Sequence, residues 1–270
     1  MTDVDAIASL DALGEEWSEL ARRSGNLFAT PEWLTAWWRH FGEDRRLAMF
    51  THRRPDGELA VLVPLYHARE LPLRTLRFLG HGPGDWLGPI HAPGEEVLGA
   101  AALRAGLRAH RGAWDVLVAE QVPRVRRVAR AMRGYEVHRE GFPVLTIAGR
   151  SWDELLAARS ANFRQQVRRR ERKLRRAHDV AFRLADDPTR LDEDISTLLR
   201  LHDARWDGTS EALGGAREAF QREFAHTALA RGWLRLWFLE LDGRPVAAWY
   251  GFRYAGDEWY YQAGRDPEAD

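Results

Sequence analysis

The stretch Leu234–Asp270, "LRLWFLELDGRPVAAWYGFRYAGDEWYYQAGRDPEAD", predicts three antiparallel strands in succession. Two apolar runs flank Asp242-Gly243, a dipeptide typical of tight hairpin turns, and a third run follows Ala255-Gly256-Asp257. Such a meander places all three strands side by side in one sheet. We therefore expect a mainly antiparallel sheet in the second half of the chain.

An earlier stretch, Leu47–Asp85, repeats this plan: "LAMFTHRRPDGELAVLVPLYHARELPLRTLRFLGHGPGD". A strand meets the turn Pro55-Asp56-Gly57, a second strand and a third strand follow, and a Gly-containing loop ends the segment. Helices are predicted before the hairpin in both halves. Any antiparallel meander looks like this, which is the alternative explanation. We interpret the pattern as one α/β unit used twice, with units at 1–150 and 151–270.

The first half contains more predicted elements than the second. After its third strand we expect a helix near 95–110, a strand at 114–120, a short basic helix up to Gly134 and a strand at 142–148. The second half shows nothing comparable after its third strand, so we expect that unit to be incomplete at its C-terminal end. The predicted fold class is α/β (α+β), with mixed, mainly antiparallel sheets flanked by helices.

Composition excludes several classes of protein. Hydrophobic residues make up 45% of the 270, with twelve Trp, which is enough for a packed core. The 40 basic and 40 acidic side chains balance, so nucleic-acid binding would need a local patch. Because the chain has no Cys, disulfides and thiolate sites are excluded. No signal peptide, membrane span or paired-His metal motif is visible, and we expect a cytoplasmic protein without a metal.

Four segments, in this order, carry a family resemblance. They are "FATPEWLTAWW" (28–38), "LRFLGHGPGDWLGPI" (76–90), "NFRQQVRRRERKLRR" (162–176) and "LELDGRPVAAWYGFRYAGDEWYYQAGRDPE" (239–268). On these segments the chain resembles the CelD-like acetyltransferases of the GNAT superfamily, a group associated with polysaccharide biosynthesis. That group is similar to the Fem-type aminoacyl transferases, which have two GNAT-like units in one chain.

The resemblance implies acyl transfer, with acetyl-CoA as donor and an amine or hydroxyl of a sugar or cell-envelope intermediate as acceptor. Fem-like aminoacyl transfer, with tRNA as the less favoured partner, and a non-catalytic binding module are the alternatives. GNAT units hold the donor along a central strand, here "EWYYQAG", and its pyrophosphate at the start of the next helix. In the first half, Pro83 and Pro89 interrupt the Gly-rich loop, which predicts a poor phosphate site.

Two residues are candidates for the catalytic base that acyl transfer needs. Asp85 lies in a Gly/Pro loop after a strand, where functional residues are often placed, although a turn residue bonding its own backbone is the alternative. His202 could act as a base, a common role of histidine, and it shares a helix face with Trp206, a candidate substrate contact. A histidine satisfied within the core is the alternative for His202.

The last strands supply further candidates for substrate binding: Tyr250, Tyr261 and Gln262. Strand alternation predicts Tyr260 and Gln262 on one face of the sheet and Tyr261 on the other. One of these faces would line the cleft, where phenol or amide groups could orient the substrate. Core packing is the alternative for each of them.

The segment Asn162–Arg176 contains seven arginines and Lys173 against one acid, Glu171. A narrow apolar line formed by Phe163, Val167 and Leu174 predicts a helix docked through that line. Arg164 and Arg168 are one turn apart and could clamp a phosphate or carboxylate, so both are candidate substrate-binding residues. A solvated basic helix and a nucleic-acid surface remain the alternatives.

Overall fold

A computed structural model describes residues 3–70, 72–123, 134–210 and 212–269 of the chain. Within these ranges the protein has two β-sheets flanked by α-helices. The first sheet is mixed and mainly antiparallel, and the second is entirely antiparallel. The predicted α/β fold class is confirmed.

The first sheet is built from strands of the first half of the chain, in the order β1-β2-β3-β4-β6, with β5 pairing to β3. Among the described strands of this sheet, only β4 and β6 run parallel. The predicted hairpin at Pro55-Asp56-Gly57 joins β2 to β3. The strands are β1 (Asp5–Ile7), β2 (Arg46–Arg53), β3 (Leu59–Glu70), β4 (Leu73–Phe78), β5 (Ile90–His91) and β6 (Val116–Leu117).

Three helices accompany this sheet: α1 (Gly14–Ser24), α2 (Pro31–Phe41) and α3 (Glu96–Ala109). The start of α2 follows the predicted chemistry. The hydroxyl of Thr30 accepts a hydrogen bond from the Trp33 N–H, and Pro31 occupies the first turn, where its missing N–H costs nothing. Short 3-10 turns at Leu10–Leu13 and Leu27–Ala29 precede α1 and α2.

The second sheet has the order β10-β9-β8-β7. Its last three strands are the meander predicted from Leu234–Asp270, with hairpins at the two expected turns. The strands are β7 (Val180–Leu184), β8 (Leu234–Leu241), β9 (Arg244–Tyr254) and β10 (Asp257–Arg265). The helices are α4 (Trp152–Ala157), α5 (Ala161–Ala177), α6 (Leu191–Trp206) and α7 (Ala216–Ala230), and a 3-10 turn spans Pro267–Ala269.

Of the predictions for the region between the halves, one is wrong and one is confirmed only in part. The strand expected at 142–148 is absent, and residues 134–148 are exposed and lack regular structure. No described strand lies beside this segment to supply hydrogen-bond partners, so its apolar side chains have no sheet to pack on. The strand expected at 114–120 shortens to the two residues of β6. The predicted basic helix before Gly134 falls mainly on 124–133, outside the described residues.

A continuous hydrophobic core joins the two halves of the chain. The buried indole of Trp33 on α2 packs edge-to-face on Phe220 and Phe224 of α7, at centroid distances of 4.9 and 4.6 Å. At the same helix pair, the Glu223 carboxylate lies 2.7 Å from the His40 ring nitrogen. The two sheets are therefore tied by shared packing, and the unit boundary at residue 150 stays a prediction.

Candidate functional site

Strand β10 contains a bulge at Tyr261. In the register with β9, Tyr260 lies opposite Gly251 and Gln262 lies opposite Tyr250, so Tyr261 is an extra residue. A bulge of this kind bends the strand and redirects its side chains, and bulges are frequent beside active sites. The middle of β10 is therefore a candidate functional region.

The bulge also reverses the expected alternation of side chains. The Tyr260 ring packs against Trp249 at 5.9 Å, on the outer face of the sheet. Gln262 lies opposite the buried Tyr250, and cross-strand partners share a face, so Gln262 belongs to the inner face. The prediction that Tyr260 and Gln262 share a face is wrong, because the extra residue shifts the pattern by one.

A chain of buried hydrogen bonds starts at β9 and ends at the Gly/Pro loop, which we define as residues 79–89. The Tyr250 hydroxyl donates to Gln221 Oε1 at 2.9 Å, and Gln221 Nε2 donates to the Tyr261 hydroxyl at 2.9 Å. The Tyr261 hydroxyl in turn donates to the carbonyl oxygen of Pro83 at 2.9 Å. Each donor has one acceptor, which fixes the orientation of all three side chains.

Burial keeps both phenols of this chain neutral. It raises the pKa of Tyr250 well above its ordinary value. The pKa of Tyr261 is also raised, by burial first and then by the nearby Asp85 carboxylate. Neither hydroxyl is therefore suited to act as a base, and both serve to hold the Gly/Pro loop against β9, β10 and α7.

Further bonds fix the Gly/Pro loop on its other side. The carbonyl of Trp86 accepts a hydrogen bond from Asn26 Nδ2 at 2.8 Å. The Trp86 ring meets the Trp259 ring edge-to-face at 4.9 Å. Gly80 adopts φ of 88°, and a Cβ there would lie 3.1 Å from Leu34 and Leu87 side chains, so glycine suits this turn. The loop is thus a rigid support for the side chains it carries.

Asp85 is half-buried in this loop. Burial raises its pKa to about 6, and the Glu140 carboxylate adds to the shift. Among the described residues the Asp85 side chain has no hydrogen-bond or ion-pair partner, so the alternative of a turn residue bonding its own backbone is not seen. A carboxylate with this pKa can accept a proton near neutral pH.

His202, the other candidate base, is only 1% exposed, and both of its ring nitrogens have partners. Nδ1 lies 3.0 Å from the Ala263 carbonyl oxygen and donates to it, while Nε2 lies 2.9 Å from the Ser210 hydroxyl and accepts from it. The ring therefore attaches α6 to β10. This bonding matches the core-histidine alternative and leaves no free lone pair for a substrate proton.

Trp206 lies at the end of α6 and is partly exposed. The guanidinium carbon of Arg205 sits 5.0 Å from the centre of its ring, a cation–π contact. The rings of Trp206 and His202 are 6.4 Å apart, so the predicted shared helix face exists. Trp206 stays a candidate substrate contact at the surface.

Helix α5 is not docked as the apolar line predicted. No residue of the helix is buried, and Phe163 is 48% exposed. Arg164 Nη1 donates to the carbonyl oxygens of Ala157 and Arg159, so part of this guanidinium caps the end of α4, and its role in an anion clamp stays a prediction. Arg168 is exposed and has no hydrogen-bond partner among the described residues.

The start of α3 does not fit a phosphate group. Glu95 precedes the helix and Glu96 lies in its first turn, and Glu96 Oε1 accepts a hydrogen bond from the Gly94 N–H at 2.9 Å. The protein's own carboxylates thus occupy the positive end of the helix. This agrees with the expected poor phosphate site in the first half.

The described parts of the chain contain no group of three or more His, Asp or Glu side chains arranged to hold a metal ion. In the same residues, no helix combines the length and apolar character needed to cross a bilayer.

The second half has two helices on one antiparallel meander, with a bulge in its last strand. Residues 161–270 match an acetyltransferase (GNAT) domain. The matched segment contains α5–α7 and β7–β10, including Tyr250, Gln221 and Tyr261. Acyl transfer is the chemistry that a domain of this family indicates.

Two solved structures are similar over nearly the whole chain. One is a conserved protein of unknown function from Bacteroides thetaiotaomicron VPI-5482, with 14% identity, 100% of this chain and 82% of that chain covered, and a TM-score of 0.52. The other is L-PGS from Bacillus licheniformis, with 17% identity, coverage of 95% and 67%, and a TM-score of 0.51. These likenesses show a shared fold. No curated protein sequence matches the chain significantly.

Sequence reasoning missed Gln221, the central member of the hydrogen-bond chain. Its signal was present: Gln221 lies on the buried side of α7, between Phe220 and Phe224. A polar side chain on the buried side of a helix needs partners, and here the two phenols supply them. The Pro83 carbonyl had no comparable signal, because a backbone acceptor is the same at every position.

Proposed function

We propose that the protein transfers an acyl group, with acetyl-CoA as donor, to an amine or hydroxyl, and that Asp85 is the general base. The match to a GNAT domain supports acyl transfer. The single observation that carries the role of Asp85 is its pKa of about 6, in a carboxylate held beside the bulged strand without a partner among the described residues.

Acetyl-CoA supplies the activated acetyl group as a thioester. Above pH 6 the Asp85 carboxylate is charged and accepts the proton that the acceptor's amine or hydroxyl loses as its bond to the acetyl carbon forms. The carbon–sulfur bond breaks, and the sulfur leaves with coenzyme A. Because the pKa of Asp85 lies close to neutral pH, the carboxylate is both available and basic enough for this step.

The neighbouring side chains act in different ways in this proposal. Tyr261 positions the loop through the Pro83 carbonyl, two residues before Asp85, and Tyr250 supports it through Gln221. Gln262, on the inner face next to the bulge, presents an amide that orients the substrate. Arg168 and Trp206 are exposed and would contact outlying parts of the acceptor.

We further propose a sugar or cell-envelope intermediate as the acceptor, and a cytoplasmic location. Both rest on the CelD-like resemblance, because fold alone does not select a substrate. Fem-like aminoacyl transfer from tRNA and a non-catalytic role in polysaccharide synthesis are the competing hypotheses. Acetyl transfer differs from both in a measurable way, since it alone requires release of coenzyme A from acetyl-CoA.

The test is release of free coenzyme A thiol from acetyl-CoA with a panel of amino sugars and sugars. Asp85→Asn should reduce turnover by about 100-fold or more, the usual contribution of a general base. Asp56→Asn, a change of the same kind in the β2–β3 turn, should leave turnover unchanged. Acetyl-CoA should raise the melting temperature of both variants equally. This result would show that Asp85→Asn still binds the donor and has lost only catalysis. Equal turnover in Asp85→Asn and the unmodified protein would overturn the role of Asp85.

A further inference from the structure

Apart from Arg168, which we propose as a contact with outlying parts of the acceptor, the surface of helix α5 has no part in the proposed chemistry. Between Ala161 and Ala177 the helix has eight basic side chains and one carboxylate, Glu171. Five exposed residues form what we call the basic face: Arg168, Arg169, Arg172, Lys173 and Arg176. Such a concentration of charge in a chain that is neutral overall requires an explanation.

No carboxylate in the described parts of the chain pairs with the basic face. Among the described residues, the ion pair made by α5 joins Arg175 to Glu171, with 3.1 Å between nitrogen and oxygen. Neither residue belongs to the basic face. Five like charges within about three turns of helix repel one another, and an external anion would relieve this repulsion.

The spacing of the basic face suits a row of phosphates. Arg168, Arg172 and Arg176 follow at intervals of four residues, which places them about 6 Å apart along the helix axis. The pair Arg169 and Lys173 forms a second row with the same spacing. A shallow groove runs between the rows, lined by Arg169, Arg172, Lys173, Arg176 and Ala177.

The rest of the helix argues against other anionic partners. Val167 and Leu174 are partly buried and lie on the side of the helix away from the basic face, so the basic face offers no apolar side chain to a lipid bilayer. The basic face contains no aromatic side chain, which single-stranded nucleic acids need for base stacking. The anionic partner that remains is a regular array of phosphates, which guanidinium groups bind well.

We propose that the basic face of α5 binds the phosphate backbone of a double-helical nucleic acid, without contacts that read the bases. This site is separate from Asp85 and does not depend on acyl transfer. RNA and DNA duplexes offer the same phosphate chemistry, so both belong in the test.

The test measures binding of the full chain to a 20-base-pair RNA duplex, the matching DNA duplex and the single strand, between about 50 and 200 mM salt. Four or five phosphate contacts predict a slope of log K against log salt of about −4. Arg169→Gln/Arg172→Gln should weaken binding to whichever duplex is bound and reduce that slope by about 2. Arg22→Gln/Arg253→Gln removes the same charge from exposed positions elsewhere and should change neither.

Several results would overturn the proposal. They are no duplex binding at 50 mM salt, single strands bound as tightly as duplexes, an unchanged slope in the Arg169/Arg172 variant, or binding only to phosphatidylglycerol vesicles. Circular dichroism of both variants shows that they are folded. Coenzyme A release by the Arg169/Arg172 variant should equal that of the unmodified protein, so failure here is distinct from failure of the acyl-transfer proposal.

Discussion

The hydroxyl of Tyr261 donates a 2.9 Å hydrogen bond to the carbonyl oxygen of Pro83, which lies 178 residues earlier in the chain. This bond attaches the bulged strand β10, in the segment that matches a GNAT domain, to the loop that carries Asp85. A contact of such long range links the folding of the second half to the geometry of a loop in the first. The first prediction concerns a variant that lacks this hydrogen bond.

Tyr261→Phe should destabilise the protein by about 1–3 kcal/mol, because it leaves the buried Pro83 carbonyl and the Gln221 amide without a partner. The free energy of unfolding from urea titration measures this. Tyr260→Phe removes the same hydroxyl from a side chain that is 54% exposed and should change the free energy by less than about 0.5 kcal/mol. Equal effects of the two changes would contradict the buried chain.

Asp85 makes stability depend on pH. Its folded pKa of about 6 lies above the ordinary value of 3.8, so the folded protein holds this proton more tightly than the unfolded chain. The resulting stabilisation is present below pH 3.8 and is lost as pH rises through 6. Asp85→Asn should therefore be more stable than the unmodified protein at pH 8, by at most about 3 kcal/mol, and no more stable at pH 4. Melting temperatures at both pH values measure the difference, and an equal difference at both would contradict the raised pKa.

Trp33→Ala should destabilise both halves together. The indole is fully buried between α2 and α7, and deleting a buried aromatic ring costs about 3–5 kcal/mol. Because the core is continuous, we expect one cooperative unfolding transition that occurs at lower urea concentration. Trp152→Ala, at a position 63% exposed, should leave the midpoint nearly unchanged. Two separate transitions in the Trp33 variant would show that the halves unfold independently.

Gly264→Ala tests the close contact between β10 and α6. A Cβ at this position would lie 2.5 Å from the His202 backbone nitrogen, so strand and helix must separate. We expect a loss of about 1–3 kcal/mol, as for other overpacked sites. Gly214→Ala has open space around its Cβ and should have little effect, and a similar loss there would contradict the packing argument.

The fold was predictable where its signals are local. Asp242-Gly243 specifies a hairpin by turn chemistry, and Thr30-Pro31 specifies a helix start, so both were found from the sequence. The bulge at Tyr261 was not predictable from the sequence, because it depends on which residues of β9 lie opposite each residue of β10. The strand expected at 142–148 had the right composition, yet in the described structure no neighbouring strand pairs with it.

The candidate site was only partly predictable for the same reason. Asp85 was identified from its loop, which is a local feature. Its raised pKa comes from burial among residues distant in sequence, and the bonds that occupy His202 come from Ala263 and Ser210. The contact of Arg164 with the end of α4 was also not predictable, because it depends on how the two helices meet.

The pH dependence of coenzyme A release tests the central claim most directly. With acetyl-CoA and an active acceptor, kcat/KM should rise with pH through about 6, because the Asp85 carboxylate must lose its proton before it can act as a base. Asp85→Asn should abolish that rise along with most of the activity. A profile that is flat between pH 5 and 7, or one that keeps the same rise in Asp85→Asn, would contradict the account.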